Sequence, residues 1–257
     1  MEVVYQKNQG LQTPAGSCMI EAEIREELSM LKTIFLDLDD TLLDFTGGEV
    51  HALSRTLREW DVEPTRAVLD RYHVINAAQW ELLEEGILTR DQVLVRRFEI
   101  LFGELGVDMP PRETCERYES YLAEEHDFLP GAVELLRELA PRYDLYLASN
   151  GAAAVQHRRL RDAGIEAYFQ AILISEELGA DKPSRAFFDA CFDRIPGFSP
   201  ETALIVGDSL TSDIRGGINA GIRTCWLRHP GRSARPDIMP DYEITTLDQL
   251  PDLLKSL

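Results

Sequence analysis

The sequence predicts an α/β protein with a doubly wound parallel sheet, interrupted after its first strand by an all-helical insertion. Three observations carry this expectation. Apolar runs that read as strands alternate with segments of helical periodicity; residues 46–128 contain no strand-like run; and polar clusters recur where strands stop. A chain of 257 residues can form one large domain or two small ones and bury a sizeable core.

Residues 1–30 read as an N-terminal extension. Gly10 to Ser17 is turn-rich, while Ile20, Ile24, Leu28 and Leu31 recur at helical spacing and predict a short amphipathic helix. No basic region followed by an apolar one precedes it, so the segment does not read as a signal peptide. Met30 stands just before the first strand, which makes the extension dispensable or a misassigned start. The first strand is read at 33–38. Apolar residues at three- and four-residue spacing then predict four helices: His51 to Trp60, Thr65 to Glu85, Thr89 to Leu105 and Arg112 to Glu125. Leu129-Pro130-Gly131 marks the return. Strands follow at 144–149, 170–174, 202–206 and 222–227, with helices at 131–140, 151–163, 183–194 and 211–220. The expected division is therefore a core of 31–45 plus 129–257 and a helical insertion of 46–128.

Composition narrows the function. An apolar fraction of 44% and a charged fraction of 28% are those of a globular protein. The net charge of −19 argues against a nucleic-acid polymer or an anionic membrane surface as partner. An anionic small molecule would need a metal or a few local cations to hold it. No apolar run approaches the roughly 18 residues of a membrane span. The cysteines (Cys18, Cys115, Cys191, Cys225) are scattered without a CxxC pair, which fits reduced thiols in a cytoplasmic protein. The histidines are equally scattered and support neither a His-based metal site nor a triad.

The chemistry concentrates at strand ends, where ligands bind in open α/β sheets. Asp37-Leu38-Asp39-Asp40-Thr41 follows the apolar run Thr33-Ile34-Phe35-Leu36. Two carboxylates at the end of a buried strand are costly unless a cation or a proton is shared. Ser149-Asn150 ends the second strand, Lys182 follows the third, and Gly207-Asp208 ends the fourth, with Asp213 close behind. Each has a structural rival: Ser149-Asn150 as a helix cap, Lys182 as a solvated residue before Pro183, Asp213 as a first-turn acid. Together they supply what covalent phosphoryl transfer needs. Asp37 can attack, and Asp39 can protonate the leaving group and then activate water. Thr41, Ser149 and Lys182 can hold phosphoryl oxygens. Oxygen ligands without His or Cys suit a hard cation, magnesium in particular. Gly216, Gly217 and Gly221 do not form a dinucleotide-binding fingerprint.

In order and type, these motifs resemble the haloacid dehalogenase superfamily. Its DxDx[TV] motif is matched by Asp37 to Thr41, its Ser or Thr by Ser149, its lysine by Lys182 and its acidic pair by Asp208 and Asp213. The helical insertion looks like that family's first type of cap. The resemblance implies Asp37 as nucleophile and magnesium ligand, and Asp39 as general acid/base and carbonyl ligand. It also implies Asp208 as a ligand, Asp213 as an orienting residue behind the metal site, and Ser149, Asn150 and Lys182 as phosphate binders. Members that cleave carbon–halogen bonds generally lack the second aspartate, so Asp39 favours a phosphatase.

Closer still is the similarity to bacterial pyrimidine 5′-nucleotidases. It lies in Ile174 to Gly179, Asp213 to Gly221 and Thr224 to Leu227, and in the spacing of Asn76, Trp80, Gly86-Ile87, Thr89 and Arg97-Phe98. Trp80 and Arg97 are candidate substrate contacts, with a core reading at least as natural for both. The implied substrate is a pyrimidine nucleoside monophosphate. The alternatives are a sugar phosphate or phosphoglycolate, a haloacid, and a phospho-acceptor switch without turnover.

Overall fold

Strands covered on both faces must be apolar on both, and the runs Thr33–Leu36 and Ala203–Gly207 are buried at every residue. β1 (Thr33–Leu36), β2 (Asp144–Ser149), β3 (Ala171–Ile174), β4 (Ala203–Gly207), β5 (Arg223–Leu227) and β6 (Tyr242–Ile244) pair in the order β3-β2-β1-β4-β5-β6. Every pair is parallel. The computed structural model describes residues 31–257, so the helix expected from Ile20 onward lies outside the described residues.

Four helices follow β1: α1 (Phe45–Glu59), α2 (Arg66–Glu84), α3 (Arg90–Leu105) and α4 (Pro111–Leu122). They pack on one another around Leu57, Tyr72, Phe98, Leu101 and Tyr118. The remaining helices are α5 (Ala132–Leu139), α6 (Ala153–Ala163), α7 (Ser175–Leu178), α8 (Arg185–Phe192), α9 (Arg215–Ala220) and α10 (Leu250–Leu254). Because side chains alternate along a strand, Ile34 and Leu36 face Leu135 and Leu136 of α5 and Leu160 of α6, whereas Phe35 faces Phe187 and Phe188 of α8.

The structure adds the short helices α7 and α10 to the sequence reading and departs from it elsewhere for local reasons. β1 stops at Leu36 rather than at residue 38, because the Leu38 carbonyl accepts the Leu42 and Leu43 N–H groups, each at 2.9 Å, and turns the chain. Asp40 completes that turn at φ 51°. α1 begins at Phe45, capped by Asp44, which accepts from the Gly47 N–H at 2.8 Å. Gly47 and Gly48 masked this start through their low helix propensity, yet Gly48 is needed: a Cβ there would lie 2.9 Å from that of Glu125 on the returning chain. Residues Leu210–Ile214 form a wide π turn before α9, where a continuous helix was expected. β6 is only Tyr242–Ile244, too short for a periodic signal.

β1 lies between β2 and β4, so the residues that follow these three strands come together at one sheet edge. Among the described residues no helix is long and apolar enough to cross a membrane. Cys115, Cys191 and Cys225 are buried free thiols.

Candidate active site

The Asp37 N–H continues the ladder by donating to the Val206 carbonyl at 3.0 Å, which places its carboxyl group just past the sheet edge. Lys182 meets it there. The ammonium donates to Asp37 Oδ1, Asp213 Oδ1 and the Ala148 carbonyl, each at 2.7 Å. All three ammonium donors are thereby used, and Lys182 is only 1% exposed. Burial alone would lower its pKa; Asp213 and Asp37 more than reverse this, so the group is held above its usual value as a fixed cation.

One lysine does not balance the acids around it. Asp37, Asp208 and Asp213 each offer a carboxylate oxygen within 4.8 Å of the others. At that separation two charges repel by about 3–4 kcal/mol at an effective dielectric of about 20. Burial pushes Asp37 up to about 8 against the pull of Lys182, with Asp213 and Asp39 adding to the rise. Asp208 is driven well above the usual carboxylate range by burial, then by Asp37 and Asp213. No described residue donates to the Asp208 carboxylate. Asp213 is spent on both oxygens, Oδ1 on Lys182 and Oδ2 on the Ser209 N–H at 3.1 Å. An all-oxygen cluster with excess buried negative charge and an unpartnered carboxylate fits a hard divalent cation.

The other expected residues surround this centre. Thr41 Oγ1 donates to Asp37 Oδ2 at 3.5 Å and accepts from the Asp208 N–H at 3.2 Å, tying the ends of β1 and β4. Ser149 Oγ accepts from the Gly151 N–H at 3.0 Å and from Gln156 Nε2 at 2.8 Å. Asn150 spends its amide on Lys182: Nδ2 donates to the Lys182 carbonyl and Oδ1 accepts the Lys182 N–H, both at 2.9 Å. Asp39 stands apart from Lys182. Its oxygens accept from Gln156 Nε2 at 2.7 Å and from the Arg159 guanidinium, both on α6.

A cleft opens above these groups. Its floor includes Asp37, Asp39, Lys182 and Asp213, and its apolar wall includes Phe45, Trp80, Leu94, Leu122 and Val155. Trp80 Nε1 donates to Asn76 Oδ1 at 3.1 Å, and Asn76 Nδ2 donates to Glu49 Oε1 at 2.7 Å. Arg97 also donates to Asn76 Oδ1, at 3.1 Å, with its guanidinium over the Tyr118 ring, so it is buried as well as cleft-lining.

Sequence reasoning missed several contributors. Arg90, at the start of α3, donates to the Asn150 carbonyl at 2.6 Å and contacts Ser175 and Asp181. Glu84 lines the cleft, and burial pushes its carboxyl up to about 7. Gln156 and Arg159 hold Asp39; their spacing of three on one helix, just after Ser149, was the signal available.

With this geometry in place, the comparisons with known proteins are specific. The family model described as haloacid dehalogenase-like hydrolase matches residues 31–221. The HAD-hydrolase YfnB of Bacillus subtilis is 39% identical over 223 residues, covering 87% of this chain and 95% of YfnB. The pyrimidine 5′-nucleotidase PynA of Streptococcus pneumoniae is 39% identical, covering 87% of this chain and 94% of PynA. The pyrimidine 5′-nucleotidase YjjG of Escherichia coli is 34% identical, covering 86% of this chain and 96% of YjjG. A crystal structure of YfnB, described as bound to magnesium and revealing interdomain movement, superposes with a TM-score of 0.84 over 88% of this chain and 99% of that one. The chain belongs to the haloacid dehalogenase-like hydrolases.

Proposed function

We propose that this hydrolase is a magnesium-dependent phosphomonoesterase acting through a phosphorylated Asp37, with pyrimidine nucleoside 5′-monophosphates as its substrate class. The observation that carries the reading is the separation of Asp37 from Asp39. Asp37 sits in the charge centre with Lys182, while Asp39, in the same cleft, is held by α6. A nucleophile and an acid/base with different partners can perform different steps.

In the first step an Asp37 oxygen bonds to phosphorus, the bond from phosphorus to the leaving oxygen breaks, and Asp39 gives that oxygen its proton. In the second, water attacks phosphorus and Asp39 takes the proton. The aspartyl–phosphorus bond breaks, releasing inorganic phosphate and restoring Asp37. Lys182, its three donors spent, would attract the phosphoryl oxygens by its charge, and Thr41 and Ser149 present hydroxyls that would hold them. Asp37, Asp208 and the Asp39 carbonyl would hold magnesium, which supplies charge neutralisation for the phosphoryl group. Asp213 fixes Lys182 and so orients this set from behind, and Asn150 supports phosphate binding through its grip on Lys182. Helices α1 to α4, which start at Phe45, one residue before the expected insertion of 46–128, act as a cap on the core formed by the chain before them and by 129–257.

The names and identities of PynA and YjjG support the nucleotide class, and the apolar wall with Trp80 offers a surface for a base. The test is phosphate release with magnesium across pyrimidine and purine monophosphates, sugar phosphates and phosphoglycolate. A preference for pyrimidine monophosphates is expected. Hydrolysis without any preference for nucleotides would overturn the nucleotidase assignment and leave the phosphatase standing.

A further inference from the structure

The acid/base carboxylate has a dedicated holder that none of the motifs contains. Arg159 lies on α6, two turns into the core helix after β2, and is fully buried at 0% exposure. Its Nη1 donates to Asp39 Oδ1 and, at 3.0 Å, to Gln156 Oε1. Gln156 Nε2 in turn donates to the other Asp39 oxygen at 2.7 Å and to Ser149 Oγ at 2.8 Å. Each Asp39 oxygen thus has one fixed donor, while the side chain stays 28% exposed. A carboxylate has about four lone-pair sites, so a free face remains toward the cleft.

The same guanidinium reaches the chain returning from α4. Arg159 Nε donates to the Glu125 carbonyl at 2.7 Å. That segment is itself fixed to the loop after β1, because the Asp44 N–H donates to Asp127 O at 2.8 Å and the Leu129 N–H to Leu42 O at 2.9 Å. Asp39 is therefore held between a core helix and the chain that leaves the inserted helices. Arg159 Nη2 is buried without a partner among the described residues. An arginine present only to fill space has no need to bury a donor unpaired. A planar guanidinium grips a carbonyl and a carboxylate from fixed directions, whereas a lysine there would keep the charge without the fixed fork.

We infer that Arg159 is a positioning residue for Asp39: it aims the carboxyl group at the leaving oxygen, and Gln156 locks the second oxygen. This rests on the phosphomonoesterase reading, in which the P–O bond breaks as the Asp39 proton passes to the leaving oxygen. A poor leaving group depends on that proton more than a good one.

The test compares kcat/KM for uridine 5′-monophosphate and p-nitrophenyl phosphate in wild type, Arg159→Met and Arg159→Lys, with magnesium. kcat/KM reports the steps up to release of the leaving group, and a loss of folded enzyme scales both substrates equally. Methionine is expected to cost at least about tenfold more with the nucleotide than with the nitrophenyl ester, and lysine to narrow the gap. Equal losses on the two substrates would overturn the inference while leaving the phosphatase intact, as would a gap that lysine leaves unchanged. A wild type inert on both esters would overturn the functional reading, and the inference with it.

Discussion

Asn150 and Lys182 hold each other through a reciprocal pair of hydrogen bonds at 2.9 Å, side-chain amide to main chain in both directions. The residue after Ser149 thus fixes the backbone from which the Lys182 ammonium reaches Asp37. Asn150→Ala leaves a main-chain N–H and carbonyl unpaired at the site. The expected cost is about 1–3 kcal/mol of stability, together with a fall in kcat as Lys182 loses its anchor. Urea unfolding and steady-state kinetics check both; an unchanged kcat would show that the clamp does not position the lysine.

Gly207 makes room for Asp213. A Cβ at that position would lie 2.1 Å from Asp213 Oδ2, whereas one at Gly103 on α3 would meet nothing within 4 Å. Gly207→Ala must displace the carboxylate that Lys182 and Ser209 share. It is expected to destabilise by about 1–3 kcal/mol and to abolish most activity. Gly103→Ala, in an open helix interior, is expected to stabilise by up to about 1 kcal/mol. Thermal melts of the two variants against wild type provide the comparison; similar shifts from both would contradict the packing account.

Magnesium is expected to raise the melting temperature of the wild type. A concentration about 100 times the dissociation constant stabilises the folded state by about 2.7 kcal/mol. Asp208, whose carboxylate has no described donor, is expected to carry much of that gain. In Asp208→Asn the difference between magnesium and a chelator should shrink or vanish. Calorimetric scans in the two conditions test this, and a full magnesium shift in the variant would place the ion elsewhere.

A pH-dependent contribution to stability is expected at the pair His73–Glu49, linked at 2.7 Å between α2 and α1. The hydrogen bond to buried Glu49 raises the imidazole above its usual 6.5. The folded chain therefore holds this proton more tightly than the unfolded one. The stabilisation is fully present below about 6.5 and is lost as pH rises through the raised value. Because the imidazole is partly solvated, the effect is discounted to a few tenths up to about 1 kcal/mol. Unfolding curves from about pH 5 to about pH 9 should show His73→Gln weaker than wild type in acid and equal to it in alkali. A difference independent of pH would contradict the pairing.

Legibility in the sequence followed the physics of each signal. Asp37, Ser149 and Asp208 stood out because each interrupts or ends a buried apolar run, where a polar group needs a reason. Lys182 and Asp213 were readable only through their company, since alone each passes for a loop or first-turn residue. Arg159 and Gln156 stayed hidden because a helix normally carries such side chains to solvent; only the fold turns that face toward Asp39. Arg90 was equally opaque, since its partners Ser175 and Asp181 lie far along the chain. The expected phosphate role of Asn150 came from the motif, whereas its hydrogen bonds to Lys182 depend on how two loops meet.

The proposed chemistry turns on a covalent bond between Asp37 and the phosphoryl group. Acid-quenching the enzyme during turnover of uridine 5′-monophosphate with magnesium, followed by peptide mass spectrometry, tests it most directly. The mass of one phosphoryl group is expected on the peptide containing Asp37, with neither label nor turnover in Asp37→Asn. Sustained turnover by Asp37→Asn, or a phosphoryl group carried on a different residue, would contradict it.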